Sequence, residues 1–257
     1  MNARTLRRAA RQTLRDATIS PYRVTLLYLL AFQLIAIPYN VFSLFYSYAA
    51  DAQAAGLDAI GRIGRYYVFT TVSPLLLTLL SNLWDAAYTG YTVALHRDPR
   101  TGFRAITDSL RDLGRVLWLA VQVLMFTFLW MCLFILPGIV AFYRYRFAFQ
   151  ILFDHPEMSA SQALRESKAM TYGYKLTLLQ LDLSYFYYYL LLAASSTLAN
   201  LPALYELPMQ GLQADLLCYL AGNALALAVQ AAFLPRLRTA VTEAYFAISS
   251  EERIEAI

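Results

Sequence analysis

The stretch LPGIVAFYRYRFAFQILFDHPEMSASQALRESKAM occupies residues 136–170. It follows a long uncharged run and sets Arg144 and Arg146 among Phe, Tyr, Ile and Leu. Read as a loop, it leaves the rest of the chain in one orientation. Read as a segment returning through a membrane, it reverses that orientation.

The composition makes a membrane the relevant solvent. Of 257 residues, 59% are apolar and 15% charged, whereas soluble domains have about 45–50% apolar and about 25% charged residues. Five long apolar runs stand out: 24–48, 66–94 (interrupted by Asp85), 116–136, 176–197 (interrupted by Asp182) and 216–234. Each reaches the ~18 residues of a helical membrane span. A β-barrel needs alternating polarity over segments of ~10 residues, and these runs are continuous. The first run is far longer than a signal-peptide core of about 7–15 residues, so it reads as a retained span. Cys132 and Cys218 lie inside apolar runs, where cysteine acts as a small hydrophobe. The net charge of +4 is nearly all arginine that flanks apolar runs. Nucleic-acid binding needs a solvated basic face beside a soluble core, so no nucleic-acid partner is expected.

Lys and Arg in short loops favour the cytoplasmic side. Arg4, Arg7, Arg8, Arg11, Arg15 and Arg23 therefore place the N-terminal arm inside. The segment 49–65, with Arg62 and Arg65 balanced by Asp51 and Asp58, goes outside. Arg97, Arg100, Arg104, Arg111 and Arg115 bring 95–115 back inside. If 139–153 does not cross, the segment bearing Arg165, Lys168 and Lys175 lies outside, the uncharged 200–211 inside, and the tail with Arg236, Arg238 and Arg253 outside. If it crosses, all three reverse to the favoured side. A single helix over 116–153 would also reach ~57 Å against a hydrocarbon core of ~30 Å. Pro137 and Gly138 supply a local cause for a hairpin turn, through a missing donor and a permissive backbone. The expectation is an all-α polytopic membrane helical bundle: six transmembrane helices (24–48, 66–94, 116–136, 139–153, 176–197, 216–234) and amphipathic cytoplasmic helices in one multi-pass domain, 1–257.

Three amphipathic segments fall on the predicted inner side. TLRRAARQTLRD puts Leu6, Ala10 and Leu14 on one face. GFRAITDSLRDLGR spaces Phe103, Ile106, Leu110 and Leu113 by three and four. SASQALRESKAMTYGYK opens on a capping-box pattern, Ser159 with Gln162, and stops at Gly173. They read either as interfacial helices whose basic faces touch anionic lipid or as ordinary connectors.

Charges inside the apolar runs need partners. Asp85 lies about 29 Å from the outer end of its run, at a solvated inner end. Arg146 and Asp182 lie about 12 and 10 Å deep on consecutive antiparallel segments, so Asp182 is expected to pair with Arg146 or Arg144. That pair either locks two helices or lines a polar pocket. Tyr185, Tyr187, Tyr188 and Tyr189 point different ways on a helix and suit packing and interfacial anchoring. No catalytic or metal motif is present. His96 and His155 are isolated, and Pro156 interrupts the cluster Asp154, His155, Glu157. Neither a cofactor nor a metal is expected.

The combination of Pro137-Gly138, Asp154-x-Pro156, Ser167-Lys168, Gly173-x-Lys175 and Asp182-x-Ser184, with the basic N-terminal helix, resembles the bacterial membrane family called domain of unknown function 975. The likeness covers roughly residues 4–189. It departs at Arg146, where the family pattern commonly has a small polar residue, and at Tyr187 and Tyr188, where it has Gly and Trp. More broadly the chain is similar to membrane domains attached to some glycerophosphodiester phosphodiesterases, which points towards lipid. The resemblance implies a multi-pass protein of the bacterial inner membrane with both termini cytoplasmic, and a cytoplasmic motif of Asp154, Pro156, Ser167, Lys168, Gly173 and Lys175. The function expected is a non-enzymatic accessory or scaffold module engaging membrane lipids, anionic ones among them, or a partner membrane protein. The alternative is a small transporter or transport subunit with an Arg/Asp-lined polar path.

Overall fold

The structure, a computed structural model, describes residues 2–52, 59–201 and 212–255, with side chains at 47–67, 135 and 252–255 left out. Of the outer loop expected at 49–65, residues 49–52 and 59–65 belong to helices and 53–58 lie outside the described residues, as does most of the loop expected at 200–211. The described residues form helices and no strand. The helices are α1 (Ala3–Asp16), α2 (Pro21–Ala52), α3 (Ala59–Arg97), α4 (Arg104–Ser109), α5 (Leu113–Leu133), α6 (Ile135–Arg144), α7 (Ala148–Asp154), α8 (Ala160–Met170), α9 (Lys175–Leu183), α10 (Phe186–Ala199) and α11 (Leu212–Glu255).

Among the described residues three helical stretches are long and apolar enough to cross a membrane: Pro21–Tyr46, Leu113–Leu133 and Leu212–Glu251. The third covers the expected run 216–234, and the first and second cover all but the ends of 24–48 and 116–136. The other three expected spans are not span-length apolar helices. The run 66–94 lies within α3, which is not among the three. The stretch 139–153 breaks at Tyr145–Phe147 into α6 and α7, and 176–197 breaks at Ser184–Tyr185 into α9 and α10. At 10 residues, α6 is only about 15 Å long.

The chain divides into two compact units, one of residues 1–26, 82–186 and 232–257, the other of 27–81 and 187–231. In the second, α2 meets α3 through Tyr39 Oη and Ser73 Oγ, 2.7 Å apart, and through Phe42 edge-on to Phe69.

The first unit carries the motif residues. α1 is capped by Asn2, whose side chain accepts from the Arg4 N–H, and it buries Ala3, Leu6, Ala10 and Leu14. That apolar strip belongs to the core and α1 packs on α9. This corrects the interfacial reading of its apolar face, which protein rather than lipid covers. Likewise α8 buries Ala160, Ala163, Leu164 and Met170 behind its Ser159–Gln162 capping box. The segment 102–115 is not one amphipathic helix: α4 has 6 residues, with Ile106 buried, and Leu113 opens α5.

The hairpin turn also differs from expectation. The chain reverses at Phe134, whose backbone is extended, and α6 then begins at Ile135. Pro137 sits in the first turn of that helix, where no intrahelical donor is needed. Gly138 serves a close approach, because a Cβ there would lie 2.3 Å from Met131 Cγ and 2.9 Å from Met131 Cα. Gly173 does act as the stop after α8, with a φ of +89° that favours glycine.

The break between α6 and α7 frees the Arg144 carbonyl and the Phe147 N–H. Ala148 N–H bonds the Tyr145 carbonyl, and Arg146 N–H the Tyr143 carbonyl, so neither freed group has a helical partner. Ser167 on α8 satisfies both. Its hydroxyl donates to the Arg144 carbonyl at 3.0 Å and accepts from the Phe147 N–H at 3.1 Å. Thr171 Oγ1 also reaches that carbonyl, at 3.3 Å. Ser167 is 0% exposed, so it is a buried structural residue and not a surface element of a cytoplasmic motif.

Replacing Ser167 by Ala leaves the Phe147 N–H without a partner in the core. The expected cost is about 1–3 kcal/mol, read as a lower thermal midpoint of the purified protein. An unchanged midpoint contradicts this role. Gly138→Ala is expected to cost about 1–3 kcal/mol by overpacking against Met131, in the same measurement.

Candidate functional site

Two polar constellations stand out in the first unit. One forms where the helices break. Arg146 lies in the turn between α6 and α7, and Asp182 near the end of α9. Arg146 Nη2 approaches Asp182 Oδ1 to 2.8 Å, and each side chain is only 14% exposed. The Tyr143 hydroxyl donates to Asp182 Oδ2 at 3.1 Å, so both carboxylate oxygens are engaged. The Arg146 guanidinium also lies 5.1 Å from the Phe142 ring centroid, within cation–π range. Arg144 is placed differently: its carbonyl binds Ser167, and Arg146 holds the aspartate. A half-buried pair whose lone pairs are filled in this way favours a fixed geometry over an exchangeable one.

The second constellation surrounds an open cavity of about 620 Å³, with walls from α1, the end of α3, the end of α7 and the last turns of α11. Its carboxylates are Asp154 and Glu243, both buried. Asp154 forms an ion pair with Arg97 and accepts from the Tyr245 hydroxyl at 2.9 Å. Glu243 lies 2.9 Å from His96 Nδ1 and accepts from the Thr13 hydroxyl at 2.7 Å. His96 stacks on Phe246, with ring centroids 3.9 Å apart. Each acid is thus met by a base and a hydroxyl from other elements, and Glu243 ties α1 to α3 and α11. The cavity presents hydrogen-bonding groups, and Arg97 matches the charge of Asp154. Among the described residues no three His, Cys, Asp or Glu side chains gather as a metal set.

The remaining motif residues do not converge on either place. Pro156 and Lys168 are exposed. Lys175 holds its ammonium 5.4 Å from the Tyr172 ring centroid. Glu157, on the surface beside them, has its carboxyl held below the ordinary range, first by its own backbone N–H and then by His155, against some desolvation. Asp85 is not simply a solvated end, because Arg238 forms an ion pair with it. Sequence reasoning missed Glu243, His96, Arg97 and Arg238 as partners. One signal was available. Leu234, Leu237, Val241, Ala244, Tyr245 and Ile248 are all buried, and their spacing of mostly three and four marks the tail as a packed helix face.

Removing one member of the Arg146–Asp182 pair strands its partner. R146A and D182A are each expected to lose about 3–5 kcal/mol and most of the folded protein in the membrane fraction. The exchanged variant R146D/D182R is expected to recover most of it. Recovery no better than in either single variant sinks the pairing.

Comparison with protein-family models, with curated proteins and with solved structures gave no match.

Proposed function

We propose that the chain is a multi-pass protein of the bacterial inner membrane, a non-enzymatic accessory or scaffold module that engages lipid or a partner membrane protein. The proposal keeps six crossings with both termini cytoplasmic. In it α3 makes the second crossing, and the broken pairs α6–α7 and α9–α10 make the fourth and fifth. Interrupted helices are tolerated at membrane depth when protein surrounds the free backbone groups, and the buried Ser167 hydroxyl supplies those bonds at the first break. The resemblance to domain of unknown function 975 implies the same topology and location.

One observation carries the choice of a module over a solute path. Three of the charges within or beside the apolar segments are matched locally, Arg146 with Asp182 and Asp85 by Arg238, while Arg4, Arg8, Arg11 and Arg15 on α1 are exposed. A path needs its polar groups available to the solute. Here both oxygens of Asp182 are taken, and a row of exposed basic residues lies on the outward side of α1.

A cysteine at Ser184, two residues from Asp182, tests this. In intact membranes it is expected to resist a charged, membrane-impermeant thiol reagent from both sides, and labelling at the rate of a surface cysteine favours a solute path. A reporter fused after Met170 is expected in the cytoplasm. Its appearance on the other side of the membrane overturns the topology.

A further inference from the structure

The basic residues of the first unit are not evenly spread. Arg7 and Arg11, four residues apart, share one side of α1. α1 packs on α9, and Tyr185 follows two residues after the end of α9. The charges of Arg7, Arg11 and Arg236 all act on the Tyr185 hydroxyl. That hydroxyl donates to the Arg236 carbonyl at 3.2 Å. Arg236 Nε in turn donates to the Tyr22 hydroxyl at 2.9 Å, and its guanidinium lies 5.7 Å from the Tyr22 ring centroid. Four elements, α1, the start of α2, the α9–α10 turn and α11, thus bring three guanidiniums and two phenols together.

Among the described residues no carboxylate forms an ion pair with Arg7, Arg11 or Arg236. The acids nearest along α11 are occupied elsewhere: Glu243 holds His96 and Thr13. Asp85 holds Arg238, two positions beyond Arg236. Three cations gathered without an anion repel one another unless a ligand supplies the missing charge. Apolar surface adjoins them. Leu26, one turn after Tyr22, is 40% exposed, and Leu183 and Phe186, which flank Tyr185, are 65% and 53% exposed. Arginines and phenols beside exposed aliphatic and aromatic side chains match a molecule with a phosphate at one end and a hydrocarbon chain at the other.

We propose that Arg7, Arg11 and Arg236, with the hydroxyl of Tyr22, form a binding site for the phosphate of an anionic phospholipid headgroup, while Tyr185 fixes Arg236 by donating to its carbonyl. The guanidiniums supply the charge and paired N–H donors, and the exposed apolar side chains lie along the acyl chains. The inference rests on the reading of the chain as a membrane module that engages lipid, and it names where and with what chemistry.

The test uses the full chain reconstituted in phosphatidylcholine bilayers. It measures the relative association of spin-labelled phosphatidylglycerol over spin-labelled phosphatidylcholine. Wild-type protein is expected to prefer phosphatidylglycerol. R7Q/R11Q, a change on the surface of α1, is expected to lower that preference by about fivefold or more. R236Q, on a different helix, is expected to act in the same direction. R4Q/R8Q removes the same charge from the same helix and is expected to change the preference by less than about twofold. An equal fall in R4Q/R8Q, or no fall in R7Q/R11Q or R236Q, overturns the site and leaves lipid engagement standing. A wild-type protein with no preference for phosphatidylglycerol overturns both.

Discussion

The hydroxyl of Ser167 stands between two backbone groups that an uninterrupted helix would have paired. By donating to the Arg144 carbonyl and accepting from the Phe147 N–H, it makes the break between α6 and α7 a defined structure. A buried carbonyl and amide without partners each cost more than an ordinary hydrogen bond returns. The break must therefore bring its own partners, and here they come from α8. That dependence ties α8 to the turn, and the turn holds Arg146 where it meets Asp182. Five of the seven residues of α7 are buried, so protein surrounds the far side of the break as well.

The same economy governs charge. Arg146 and Asp182 fill each other's coordination with help from Tyr143, and Asp154 and Glu243 each meet a base and a hydroxyl. Such groups are expensive to bury singly and acceptable when matched. The consequence lies in what remains. Once the interior acids are committed to interior bases, the arginines of α1 and Arg236 are among the basic residues that no carboxylate pairs with among the described residues. Net charge alone does not reveal this, because it counts paired and unpaired residues alike.

Much of this was legible from local pattern. The strip of Leu6, Ala10 and Leu14, the Ser159–Gln162 cap and the Gly173 stop each depend on a few neighbouring residues, and the structure has them as the spacing suggests. The charges of Arg146 and Asp182 could be matched by depth, since both run from one inner boundary. The break positions were not legible, because neither Tyr145–Phe147 nor Ser184–Tyr185 contains Pro or Gly and tertiary hydrogen bonds place them. Pro137-Gly138 misled for the converse reason: both residues have a turn-forming use, yet proline also fits a helix's first turn and glycine also permits close packing. The links from Glu243 to His96 and Thr13 and from Arg97 to Asp154 join residues far apart in sequence, and no spacing rule reaches them.

The placement of α1 constrains how such a protein meets its surroundings. An amphipathic helix that lies on a bilayer uses both sides, sinking its apolar face among the acyl chains and setting its basic face against headgroups. In α1 the apolar face is spent on the core, with Leu6 4% and Ala10 1% exposed, and Thr13 fastens the helix to Glu243. Only its charged side is left for contact outside the protein. Contact made through arginine alone is short-ranged, limited to about a Debye length of 8–10 Å at ordinary salt, and it discriminates by the sign of the headgroup more than by the packing of the chains. A helix held this way does not insert and withdraw. It stays with the protein and presents a fixed pattern of guanidiniums, so any selectivity must come from their geometry, which the contact of α1 with α9 and the bonds around Arg236 set in place.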